Sequence, residues 1–233
     1  MARTPSRRGL AATAAARLAP KVTDLAPGVT ATFVREALNR AILGAGPLPP
    51  AAAAADEQLR EQRGDVSRAI HEVIENHVRY AGAQGFLTNI GGVVSAAVTV
   101  PANLAGVALV QSRMVAGIAH LRGYDLDDPR TRNAILAILM GEDTVAGLVR
   151  DKVLPATPYG LANAEYADPT LDRLITGEVA SDLIQRVAGK RLAVTVGRRV
   201  PVVGGVVGMG ADGYSTWKLG RYAERELLPR AER

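Results

Sequence analysis

The chain has 233 residues, 48% of them apolar but only 4% aromatic, with 28 basic and 23 acidic side chains and no cysteine. That length buries the core of one domain, or of one domain with appendages, and the scarcity of aromatics means the core is built from Ala, Val, Leu and Ile. Disulfides and thiolate zinc sites are excluded, which fits a reducing compartment.

The formal charge of +5 is a property of one end. Arg3, Arg7, Arg8, Arg17 and Lys21 all precede the first acid, Asp24, and the remaining 23 bases match 23 acids. Nucleic-acid binding needs clustered cations and stacking aromatics on the folded body, so that class is set aside. The leader MARTPSRRGLAATAAARLAPK lacks the continuous apolar core of a signal peptide, because Thr13 and Arg17 interrupt it. It reads as a disordered Ala/Arg-rich arm, with an amphipathic helix on anionic lipid as the alternative.

In chain order, VTATFVREALNRAIL (29–43) has helical spacing at Phe33, Ala37 and Leu38, with Gly44 as its stop. GAGPLPP (44–50) is a Gly/Pro linker, so residues 1–50 form an arm with one helix and 51–233 the helical body. AAAAADEQLREQRG reads as a solvent-facing helix of high propensity and little burial. In DVSRAIHEVIENHVRYAG, the residues Val66, Ala69, Ile70, Val73, Ile74, His77, Val78 and Ala81 share one stripe. Asp65 caps the start of that helix and Gly82 its end.

From Tyr80 to Ser112 the only ionisable side chain is the tyrosine itself. Pro101 and the pair Gly91–Gly92 interrupt this run, and residues 85–100 reach about 24 Å as a helix, short of a ~30 Å hydrocarbon core. Two arrangements fit: a buried central hairpin of a bundle, favoured by the interruptions, or a hairpin dipping into one leaflet. A helix from Ala102 to Arg122 ends at Gly123, and Asp128–Pro129 caps the next, whose buried side holds Ile135, Leu136, Ile138 and Leu139. Residues 154–169 read as loop. Residues 177–199 return to helix, with Val179, Leu183, Val187 and Leu192 inward. No sustained β-alternation occurs. The class is all-α: a single bundle with a central apolar hairpin and a glycine-rich packing helix at its end.

That last helix contains GMGADG (208–213), which fits G-x-G-x-x-G. Only twenty residues follow it, too few for the helix, second strand and acid of a dinucleotide fold. The spacing of Gly204 and Gly208, and of Ala211 and Ser215, instead puts small residues on one helical face for close packing. Pro201 starts that helix, with Arg198 and Arg199 just before it.

His71 and His77 are six apart, which does not suit two metal ligands on one helix. His71 with Glu75 reads as a surface pair and His77 as a core residue. Counted from Asp125, YDLDDP fails the calcium-loop pattern, having Arg130 at its sixth position and Leu136 at its twelfth. No nucleophile elbow or phosphate loop is present. A catalytic reading would require Arg113, His120, Tyr124 and Asp125 to converge in a cleft; otherwise they are helix-end polar groups.

LVQSRMVAGIAHLRGYDLDDPRTRNAILAIL (109–139) resembles the EcsC family of bacterial proteins, through Gln111, Arg113, Ile118–Ala119, Gly123–Tyr124–Asp125 and Asp128–Pro129. A second likeness is the proline-led glycine helix, with Pro201, Gly204, Gly208 and Asp212 at the matching positions. The resemblance spans about residues 66–226. It implies a helical protein without established catalytic residues, associated with membranes and named for a gene beside an ABC transporter. The expectation is therefore a non-catalytic, cofactor-free cytoplasmic protein peripheral to the inner membrane, accessory to an ABC transporter or another membrane process. Arg198, Arg199 and the basic arm would meet an anionic surface or a membrane protein complex. The alternative is a soluble helical module that binds a protein partner or a small apolar ligand. An apolar surface strip at Val93, Val94, Val98 or Leu104 would favour the membrane; a pocket between helices would favour the ligand.

Overall fold

The computed structural model describes residues 27–44, 49–90, 96–196 and 201–230. Among the described residues there are nine helices and no strand. They are α1 Pro27–Leu43, α2 Ala51–Glu61, α3 Val66–Ile90, α4 Ala96–Leu121, α5 Pro129–Met140, α6 Glu142–Arg150, α7 Pro158–Ala162, α8 Pro169–Val196 and α9 Pro201–Glu226. The all-α expectation holds.

The C-terminal half of α4 is the axis of the core. Met114, Val115, Ile118 and Ala119 are fully buried, and Ile70 and Ile74 of α3, Ile135 and Ile138 of α5 and Ile175 of α8 join them in one cluster. Each large side chain so enclosed contributes about 1.5–3 kcal/mol relative to exposure. α1 places Val34, Leu38 and Ile42 in the same cluster, and Arg35 pairs with Asp172 of α8 at 2.6 Å. The helix of the arm is thus packed into the bundle.

Local signals explain most boundaries. Gly44 has φ +88° and donates its N–H to Arg40. Asp65 accepts the Arg68 N–H at 3.0 Å, and the stripe Ala69, Ile70, Val73, Ile74, His77 and Ala81 is buried as its period requires. The Asp128 side chain accepts the Arg130 N–H at 2.8 Å, with Pro129 in the first turn. Asp168 does the same for Thr170, at the start of α8.

Five expectations change. α3 runs through Gly82 to Ile90, and α4 starts at Ala96 with Pro101 in its second turn, so neither residue ends a helix. One glycine costs a helix about 1 kcal/mol and one interior proline about 3 kcal/mol, so local propensity does not set these boundaries. α8 begins at Pro169 and is longer than residues 177–199 alone, and the stretch read as loop contains α7. The helix read as solvent-facing buries Ala51 and Ala55 in the core. Its small side chains let it lie close to α4, where a Cβ on Gly117 would meet the Ala55 Cβ at 3.6 Å.

α9 packs antiparallel along α3. A Cβ on Gly213 would lie 3.7 Å from Val78 Cγ1, and one on Gly220 would lie 2.8 Å from Ile74 Cγ1. GMGADG is interior to α9 and forms no turn, so it offers no phosphate cradle. Gly204 and Gly208 lie in the same helix, but their surroundings fall outside the described side chains.

Candidate functional site

α2 and α4 run parallel, held at one end by Arg113 against the Pro50 carbonyl and at the other by His120 Nε2 on Asp56 Oδ1 at 2.7 Å. α3 lies antiparallel to α4, with Val73 against Gly117 and His77 beside Arg113, and reaches α2 through Asn76 Nδ2, which donates to Gln58 Oε1 at 3.4 Å. The three helices touch at Gly117 and Ala55. Towards Arg113 the short side chains of Ala51 and Ala54 no longer fill the space between them, leaving a pocket of about 420 Å³. Its walls are Pro49, Ala51, Ala54, Ala55 and Gln58 on the α2 side, Val73, Asn76, His77 and Tyr80 on α3, and Leu109, Val110, Arg113 and Gly117 on α4. The size is in the range of small-molecule sites, and so is the lining, mostly apolar with a few polar groups.

Two of those polar groups are unusual. His77 is buried, and its Nδ1 lies 2.7 Å from the Val73 carbonyl. The carbonyl can only accept, so Nδ1 carries the proton and Nε2 keeps its lone pair. Burial pulls the His77 pKa down to about 4, and the Arg113 charge adds to the shift, while the Val73 bond opposes it. The ring is therefore neutral at pH 7, edge-on to Tyr80 at 6.2 Å.

Arg113 is 8% exposed. Its Nη2 makes one long contact, 3.5 Å to Pro50 O, and its Nη1 is buried with no partner. Burial lowers its pKa, yet an arginine stays protonated at neutral pH. It is the one charged side chain lining the pocket.

The four residues considered for a catalytic cleft are spread over separate environments. Arg113 lines the pocket; His120 sits two turns further along α4 and bonds Asp56. Tyr124 is buried beneath the Arg230 guanidinium, 4.7 Å from its ring centre, and Asp125 is exposed and accepts the Asp127 N–H at 2.9 Å. Gly123, at φ +81°, and the backbone bond from Arg230 N to Arg122 O close this turn. Gly123–Tyr124–Asp125 and Asp128–Pro129 thus act as fold determinants here. So does Gln111, whose Nε2 donates to Thr216 of α9 at 3.2 Å.

Of the other candidates, Asp212 is buried and its carbonyl accepts from Ser215. Pro201 opens α9. Arg198, Arg199, Val93 and Val94 lie outside the described residues, as do the side chains of Val98 and Leu104. His71 pairs with Glu75 at 3.1 Å on the surface. No cluster of three metal-ligating side chains occurs among the described residues, and no described helix is long and apolar enough to cross a membrane.

Sequence reading missed Tyr80, Gln58 and Asn76 as pocket residues, and missed that Arg113 and His77 line the same pocket. Tyr80 carried a signal, as the last ionisable residue before the charge-free run.

These features define a helical bundle with a half-open apolar pocket beside its central hairpin. Residues 51–230 match the EcsC protein family, and the chain belongs to that family. No curated protein and no solved structure matches it.

Proposed function

We propose that this EcsC-family chain is a binding module without catalysis of its own, which holds a small, largely apolar ligand between α2, α3 and α4. The observation that carries the reading is the pocket itself, about 420 Å³ lined by alanines, Val73, Leu109 and Val110. A larger side chain at Ala54 would enter it, and an unfilled apolar volume forfeits the contacts its walls would otherwise make. The test is a fluorescence titration of the full chain with the neutral apolar probe N-phenyl-1-naphthylamine. Saturable binding at one probe per chain, abolished by Ala54→Trp, supports the reading. Ala54 is only half-buried, so the replacement can enter the pocket without invading the core. Binding unaffected by Ala54→Trp, or none at all, defeats it.

A second reading, attachment at the cytoplasmic face of the inner membrane in support of a transporter or other membrane process, is favoured by the exposed aromatics. Tyr214 and Trp217 stack at 6.0 Å on α9, exposed by 63% and 47%, and Tyr80 on α3 is 62% exposed. The register of α9 on α3 brings Tyr80 and Tyr214 within a turn of each other along the bundle. Beyond them both helices continue without charge, over 81–90 and 201–211, for about 15 Å each. Aromatic side chains at that boundary are the pattern of an interfacial belt. Flotation with neutral liposomes at ~1 M salt, where screening removes the contribution of the basic arm, tests this reading. Co-flotation lost in Tyr214→Ser/Trp217→Ser supports it; no flotation of the unmodified chain defeats it.

A further inference from the structure

The pocket has a feature that a purely apolar ligand would not explain. Charged side chains are almost never fully buried without a partner, because removing an ion from water is expensive and only an opposite charge or several hydrogen bonds offset it. Arg113 lacks both. No carboxylate among the described residues pairs with it, its Nη1 is an orphan, and its Nη2 has only the 3.5 Å contact to Pro50. The other polar groups of the pocket wall offer no carboxylate: Tyr80 is a phenol, Gln58 and Asn76 bond each other, and His77 spends its one proton on Val73. The apolar lining then describes the rest of the ligand.

We propose that the pocket selects a monocarboxylate with an aliphatic tail, the carboxylate pairing with the Arg113 guanidinium and the tail lying against Ala51, Ala55, Val73, Leu109 and Val110. A single negative charge matches a single cation; a dianionic phosphate would leave one charge buried and unmatched. Arginine also presents its donors in a planar fork that fits a carboxylate, and such charge-assisted bonds are the strong ones. This inference rests on the ligand-binding reading above and narrows it to one chemical class.

Calorimetric titration of the full chain with octanoate and, separately, with octanol separates the two claims. Hydrogen bonds to charged groups lead to the expectation that octanoate binds about ten- to a hundredfold tighter than octanol. Arg113→Gln should weaken octanoate far more than octanol and bring the two to a comparable level, since it keeps a polar side chain but not the charge. Circular dichroism confirms that the variant is folded, and Ala54→Trp, which retains Arg113, should remove both ligands. Equal affinities that Arg113→Gln does not alter would overturn the carboxylate assignment while leaving the apolar pocket standing. A preference for octanoate that survives Arg113→Gln would assign it to the basic arm and overturn the role of Arg113. Binding of neither compound would overturn the pocket and the inference together.

Discussion

Removing the titratable ring of His77 should change how the protein responds to acid. In the folded chain its pKa is held at about 4, against 6.5 for an unperturbed histidine, first by burial and then by the Arg113 charge. Below pH 6.5 the unfolded chain therefore takes up a proton that the folded chain refuses. Stability is fully present above 6.5 and drains away as the pH falls towards 4, because ΔG of unfolding declines wherever the unfolded state binds more protons. The interval between 6.5 and about 4, at about 1.36 kcal/mol per pH unit, sets the full loss at about 3 kcal/mol. His77→Gln has no such proton. At pH 7 the variant should be about 1 kcal/mol less stable, for want of the bond to Val73. On acidification the difference should close and then reverse. Urea unfolding followed by circular dichroism at pH 7, 6, 5 and 4.5 measures both curves, and carboxylate titrations common to the two proteins cancel in the difference. Parallel curves would refute the assignment of a neutral, desolvated His77 to the pocket wall.

Four further outcomes follow from packing and capping. Gly220→Ala should destabilise by about 1–3 kcal/mol, because its Cβ would sit 2.8 Å from Ile74 Cγ1 and 2.9 Å from Cγ2. Gly213→Ala, whose Cβ meets Val78 at an ordinary 3.7 Å, should stabilise by about 0.5–1 kcal/mol through helix propensity; thermal melts of the pair read both signs. Asp128→Ala should cost about 1–2 kcal/mol in chemical unfolding by uncapping α5. The Arg130 guanidinium holds the Asp128 carboxyl below its usual pKa, so that contribution is present above about pH 4 and lost as the pH falls further. Arg230→Ala should cost about 1–2 kcal/mol, because it removes the cation over Tyr124 and the 3.0 Å bond to Ala162 O. Hydrogen exchange at residues 122–126 should rise with it.

The sequence showed the fold through periodicity and caps, and lost it where tertiary packing overrules local preference. The buried stripe of α3 and the Asp128–Pro129 start of α5 follow from spacing and from one side-chain oxygen, both local properties. Asp168–Pro169 carries the same signal at the start of α8 and was as readable. Gly82 and Pro101 are local helix breakers, yet α3 contains the one and α4 the other, so local preference alone misplaces both boundaries. The burial of Ala51 and Ala55 was invisible for another reason. Alanine records no preference for inside or outside, and the Gly117 surface that receives it lies more than sixty residues away. The pocket was hidden in the same way. Sequence proximity grouped Arg113 with His120, Tyr124 and Asp125, whereas the antiparallel register of α3 on α4 gives it His77 as a neighbour. Only the three-dimensional arrangement reveals that its charge has no partner among the described residues.

The central claim is that α2, α3 and α4 enclose a ligand site, and amide chemical-shift mapping of the full chain during titration with octanoate tests it most directly. The account predicts saturating shifts concentrated in Ala51–Gln58, Val73–Tyr80 and Leu109–Gly117, the three segments that line the pocket. Shifts centred instead on Tyr214–Lys218, or none in those three segments at saturating octanoate, would contradict it.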